Sequence, residues 1–200
     1  MSYNFDEHME AKEVKKPKYT FEVPPQEADM PPAIVNITQY SEIKSDQDYY
    51  KYININGETC FWVRREEATR ENGGKKKFTP YSYDVESMSW KARAWTADRI
   101  LFQEHLLADN AKPVLILEGE KATVAATKLF KDYICVCWQG GSNAVSHSNF
   151  KELKDRAIVL WPDNDEEGSK AMHEVAKDLI EKSITTNIKI VQLPKELPKG

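Results

Sequence analysis

From Lys112 to its end the chain alternates short apolar runs with helix-favouring ones: "VLIL", "KATVAATKLF", "YICVCW", the turn "QGGSN", "NFKELK", "AIVLW", "EEGSKAMHEVAKDLIEK" and "IKIVQL". Four near-continuous apolar strands separated by helices predict a parallel sheet buried on both faces, because only crossover helices can cover such strands. The last helix carries the clearest period. Met172, Val175, Ala176, Leu179 and Ile180 fall at i, i+3, i+4, i+7 and i+8, which is one stripe toward a sheet. No internal repeat or low-complexity tract competes with this pattern.

The rest of the chain divides by composition. Residues 1–33 carry several charges and five prolines in "KKPKYTFEVPPQEADMPP", with no sustained period, and read as a tail or linker. Residues 34–110 read as a small α+β subdomain, in which "YYKYININGETCFWVRREEA" gives two β-rich runs around Asn56-Gly57, a strong hairpin signal. The segment "TADRILFQEHLLADN" is expected to be helical, with Ile100, Leu101, Leu106 and Leu107 as its apolar positions. Residues 111–200 form the third unit, the parallel α/β domain. A chain of 200 residues, 40% hydrophobic, can bury one sizeable core with a smaller partner. No apolar run approaches the roughly 20 residues that cross a bilayer, so a cytoplasmic protein with no membrane partner is expected. Cys60, Cys135 and Cys137 lack paired ligand spacing and read as buried reduced thiols, so no zinc is expected. The net charge of −4 excludes bulk-charge coating of nucleic acid and leaves only a local basic patch.

Two of the apolar runs end in carboxylates. Glu118 follows "VLIL", and Asp163 and Asp165 follow "AIVLW". In an open parallel α/β sheet the ligand crevice lies beyond the carboxyl ends of the strands, where Gly140 and Gly141 also fall. Carboxylates gathered there repel one another, and a hard divalent cation neutralises them. Mg2+ is the expected ion, with Mn2+ able to replace it. Mg2+ takes one or two protein carboxylates and completes its octahedron with waters and substrate phosphates, which points to phosphate chemistry.

The stretches "LILEGEKAT", "GGSN" and "LWPDNDEEGSKAM" resemble the TOPRIM domain of phage and plasmid DNA primases over about residues 112–200. "YKYININGETCFWVRREE", "GGKKKF" and "SWKARAW" resemble the region that precedes TOPRIM in phage primases. The resemblance implies a TOPRIM-type, Rossmann-like parallel sheet of about four strands with helices on both faces. It implies Glu118 as general acid/base or metal ligand, Asp163 and Asp165 as the Mg2+ holders, and Lys121 and Lys170 as phosphate contacts. The partners it implies are a single-stranded DNA template, NTPs, and a helicase module or other replication proteins. The chain departs from the family in lacking CxxC pairs, and the further acidic residues that usually follow in family members do not appear before the terminal "LPKG".

Plain structural alternatives stand beside each assignment. A single acid near a helix start answers the helix dipole, and Glu120 reads equally as a capping or solvated residue. "DNDEEGSKAMHE" nearly fits a calcium EF-hand loop, but a strand ending in Trp161-Pro162 precedes it in place of a helix. Gly140-Gly141 serves either as a tight turn or as a close approach for a nucleotide phosphate. The four histidines show no ligand spacing. "GGKKKFTPYSY" interleaves Lys75, Lys76 and Lys77 with Phe78 and Tyr81, the mixture that attracts phosphates and stacks bases, or else a solvated hairpin loop. Arg64, Arg65, Lys91 and Arg93 offer a second basic path. Three function classes follow: a primase-type nucleotidyltransferase, a TOPRIM nuclease, and a non-catalytic nucleic-acid-binding module. A haloacid-type phosphatase would need its aspartate after the first strand, where this chain has Glu118.

Overall fold

The computed structural model describes residues 49–68, 70, 73–95, 99–108 and 111–194. The tail expected over residues 1–33 lies outside them. The first sheet is an antiparallel meander of β1 (Tyr49–Ile53), β2 (Thr59–Glu66), β3 (Lys77–Asp84) and β4 (Ser89–Lys91), in that order. The Asn56-Gly57 signal marks its first turn. Gly57 has φ +83°, and the Asn54 side-chain oxygen accepts the backbone N–H groups of Asn56 and Glu58, each at 3.0 Å. Strand alternation gives the sheet two faces. Tyr50, Tyr52, Phe61 and Val63 share the inner one and pack with Trp95, Phe102 and Cys137.

The second sheet is wholly parallel, with strands β5 (Val114–Leu117), β6 (Ile134–Cys137), β7 (Ile158–Leu160) and β8 (Ile188–Ile190) in the order β6-β5-β7-β8. Helix α1 (Glu120–Leu129) leads from β5 to β6, and α2 (Glu166–Glu181) leads from β7 to β8. The strand residues divide between the faces as a doubly covered sheet requires. Leu115, Leu117 and Cys135 meet Ala126 of α1, while Ile116, Val136, Ile158 and Leu160 meet Ala171, Met172, Val175 and Leu179 of α2. The two connections run in opposite directions from β5 and β7, so the strand order reverses between these neighbours. That reversal is where ligands bind in open α/β sheets.

Three local expectations are corrected. The 96–110 segment is not a helix over its described part: Arg99 bridges to Ser148, Phe102 bridges to Cys137, and Gln103 takes a left-handed φ of 63°. Only the 3-10 turn Glu104–Leu107 remains, because the bridges draw the backbone into sheet-like pairing. "NFKELK" likewise yields the short 3-10 turn Lys151–Leu153. In the α2 stripe Ile180 is 52% exposed and Ala171 is buried instead, so the sheet-facing stripe is rotated toward the start of the helix. Cys60, Cys135 and Cys137 are buried free thiols.

Candidate functional site

The carboxylates that end β5 and β7 meet at the reversal of strand order. Glu118 Oε1 accepts the backbone N–H of Asp163 at 2.9 Å. Asp165 is the N-cap of α2, and its Oδ1 accepts the Gly168 N–H at 2.7 Å, which satisfies one of the unpaired donors of the first turn. The helix tolerates no side chain at 168. A Cβ there would overlap Glu118 Oε1 and approach the Asp163 backbone oxygen and nitrogen to 2.8 and 2.9 Å, so glycine is what lets the two loops close on each other.

This crowding shifts the titration of the pair. Partial burial raises the Glu118 pKa above the ordinary range; Asp163, Asp165 and Glu167 add to the rise, and the Asp163 N–H opposes it. Asp163 is raised by desolvation and by Asp165, while the Lys76 ammonium pulls it down. Lys76, from the turn between β2 and β3, thus acts electrostatically on Asp163.

Among the described residues no group of three or more His, Cys, Asp or Glu side chains is placed to hold a metal ion. The donor set nevertheless suits Mg2+. It consists of hard carboxylate oxygens; one oxygen each of Glu118 and Asp165 is taken by a backbone N–H, leaving the second for a cation. Mg2+ needs only one or two such ligands besides water and phosphate.

The basic candidates are divided by strand alternation. Arg65 lies opposite Phe78 on the inner side, where its guanidinium is 9% exposed and bonds Glu67 at 3.0 Å. Glu67 also meets Lys121 Nζ at 3.4 Å. Arg64 and Lys77 lie on the other side, where both pair with Glu66. Phe78 is half exposed, whereas Tyr81 is buried, so Phe78 is the aromatic of this loop that presents a ring to solvent. Lys75 and Lys76 are exposed beyond the Gly73-Gly74 turn. Lys170 points into solvent and bonds Glu166 at 2.7 Å, one turn back on α2.

Gly140 is held by packing: it has φ +100°, and a Cβ would come within 2.9 Å of the Ala144 Cβ. Gly141, at φ +69°, has open space around it. Arg99 Nη1 would lie 3.5 Å from a Gly140 Cβ, which puts a cation at this turn that the sequence does not suggest. Sequence reasoning also misses Glu67 and the role of Gly168, although a glycine three residues after Asp165 is a usable signal. Glu120 is neither solvated nor merely a cap. It is 6% exposed, and the Tyr52 hydroxyl donates to its Oε1 at 2.7 Å, tying the two sheets together.

A meander of four antiparallel strands followed by a parallel α/β sheet is a fold similar to that of a solved primase fragment. The primase fragment of the bacteriophage T7 primase-helicase protein is similar over 73% of this chain and 52% of its own, at 21% identity and a TM-score of 0.50. The T7 primase domains seen with the lagging-strand DNA polymerase, an RNA/DNA hybrid and dTTP give 21% identity and a TM-score of 0.49 over 73% of this chain and 65% of theirs. The DnaG catalytic core gives 16% and 0.49 over 74% of this chain and 45% of its own. The chain therefore spans about half to two thirds of the length of these structures. No curated protein matches it. The chain belongs to the family described as "Domain of unknown function (DUF6371)", which matches residues 37–164.

Proposed function

We propose that this protein is a TOPRIM-containing, Mg2+-dependent primase that synthesises primers on a single-stranded DNA template during phage or plasmid replication. The observation that carries the reading is the closure of Glu118 onto the Asp163 loop beside Asp165, with the Lys76 ammonium drawing down the Asp163 pKa. Asp163, Asp165 and Glu118 would hold Mg2+, which when bound neutralises the triphosphate and polarises the α-phosphorus. Glu118, its pKa raised by burial and like charge, is suited to take the proton from the attacking 3′-hydroxyl. The new bond joins that oxygen to the α-phosphorus, the bond to the bridging oxygen breaks, and pyrophosphate leaves. Lys75, Lys76 and Phe78 would hold the template by charge and stacking, and Gly140, Gly141 and Lys121 would approach the phosphates. Helicase and other replication partners belong to the same reading.

Incubation with single-stranded template, labelled NTPs and Mg2+, read on a gel, tests it. Extended oligonucleotides are expected. Shortened template would replace the reading with the nuclease, and unchanged template with a binding module.

A further inference from the structure

Glu67 stands between two cations at the opening of α1. Its carboxylate bonds the Arg65 guanidinium at 3.0 Å and meets Lys121 Nζ at 3.4 Å. Arg65 is nine-tenths buried, and its Nε has no hydrogen-bond partner among the described residues. A buried guanidinium donor left unpaired is costly, and the fork geometry of arginine is built for a planar or tetrahedral oxyanion. Helix α1 runs for ten residues from the N-cap Gly119, which has no side chain to cap its free N–H groups. Glu120 turns its carboxylate back on its own backbone N–H and is held by Tyr52. Two cations, one of them on the first turn of α1, thus meet one carboxylate that is itself half exposed, while the Arg65 charge also acts on buried Glu120.

We propose that Arg65, Lys121 and the opening turn of α1 form a binding notch for a phosphate group, and that Glu67 occupies it as an internal stand-in which an incoming phosphate displaces. The inference rests on the phosphate-handling reading above and adds to it a competitor built into the chain. The chemistry favours exchange. Glu67 brings one charge on a flexible, solvent-exposed stem, and exposed ion pairs of this kind are weak. A terminal phosphate brings up to two charges and three acceptor oxygens, enough to take over the guanidinium edge of Arg65 and the Lys121 ammonium together. The phosphate could come from a nucleoside triphosphate or from a single-stranded backbone.

The test is binding without metal, template extension or turnover, so a failure to make primers leaves it untouched. Inorganic triphosphate and a short oligothymidylate would be titrated by calorimetry into the full chain, into Glu67→Gln, into Lys121→Ala and into Arg65→Lys, each checked by thermal melting. Glu67→Gln should tighten binding of at least one probe about fivefold at low salt, since it removes a weakly held competitor. Lys121→Ala should weaken the same probe by a similar factor, and Arg65→Lys, which keeps the charge and loses the fork, should weaken it further. Tightening for triphosphate alone assigns the notch to the nucleotide, and tightening for the oligonucleotide alone assigns it to the strand. If Glu67→Gln binds neither probe more tightly while Lys121→Ala leaves both unchanged, the notch is a structural ion-pair cluster and the proposal fails.

Discussion

At the scale of single residues, Gly168 and Glu104 make the sharpest demands. Alanine normally stabilises a helix interior by about 1 kcal/mol relative to glycine. At 168 the sign should reverse, because the added carbon overlaps Glu118 Oε1 and the Asp163 backbone. Gly168→Ala should cost about 1–3 kcal/mol in denaturant melts and should weaken any Mg2+ binding by displacing Glu118. Glu104 is 3% exposed and accepts the Leu101 N–H at 3.1 Å, and burial raises its pKa from 4.5 to about 6. A carboxyl whose folded pKa is raised stabilises the fold fully below pH 4.5, and that contribution fades as the pH climbs through about 6. The shift corresponds to about 2 kcal/mol. The difference in stability between wild type and Glu104→Gln should therefore fall by about that amount between pH 4.5 and 6.5 and stay level above it, read by melts across the range.

At the scale of elements, the start of α2 carries two roles that separate cleanly. Asp165 is both the N-cap and a proposed Mg2+ ligand, whereas Asp163 lies ahead of the helix. Asp165→Ala should lose about 1 kcal/mol of stability together with metal affinity, while Asp165→Ser should keep the cap and lose only the metal. Asp163→Ala should lose the metal with little cost in stability, since it relieves repulsion with Asp165. Isothermal titration with Mg2+ beside melting curves distinguishes these cases. In the β2–β3 turn, replacing Lys75, Lys76 and Lys77 with alanine should lower the log-log salt slope of single-strand binding by up to about 2, at about 0.7 for each phosphate no longer neutralised. Lys77 already pairs with Glu66, so most of that change should come from Lys75 and Lys76.

At the scale of the whole molecule, the two sheets are joined through a buried hydrogen bond as well as apolar packing. Tyr52 of β1 donates to Glu120 of α1, and the Tyr52 ring stacks on Phe61 with centroids 4.2 Å apart. Tyr52→Phe keeps the stacking and takes one of its donors from a buried carboxyl, which should cost about 1–3 kcal/mol. Amide exchange should then quicken at the start of α1 as well as in β1. Quickening confined to β1 would mean that this hydrogen bond does not couple the sheets.

Periodicity and punctuation make much of this molecule legible in its sequence. The order of the parallel strands along the chain, the two long helices, the Asn56-Gly57 turn and the placement of Glu118, Asp163 and Asp165 beyond strand ends follow from local rules of burial and capping. Other features depend on which surfaces meet. The 96–110 segment has a helical pattern of leucines, but its bridges to Cys137 and Ser148 outweigh a weak local propensity. Strand alternation alone puts Arg64 beside Glu66 and Arg65 beside Glu67, but Lys121, 54 residues further on, reaches Glu67 only through the packing of α1 against the first sheet. Glu120 reads locally as a solvated helix start, yet Tyr52, 68 residues away, closes over it. Local chemistry sets which elements form, because each residue's neighbours along the chain are fixed. The partners of a carboxylate or a guanidinium are set by packing between elements far apart in sequence, which no local pattern encodes.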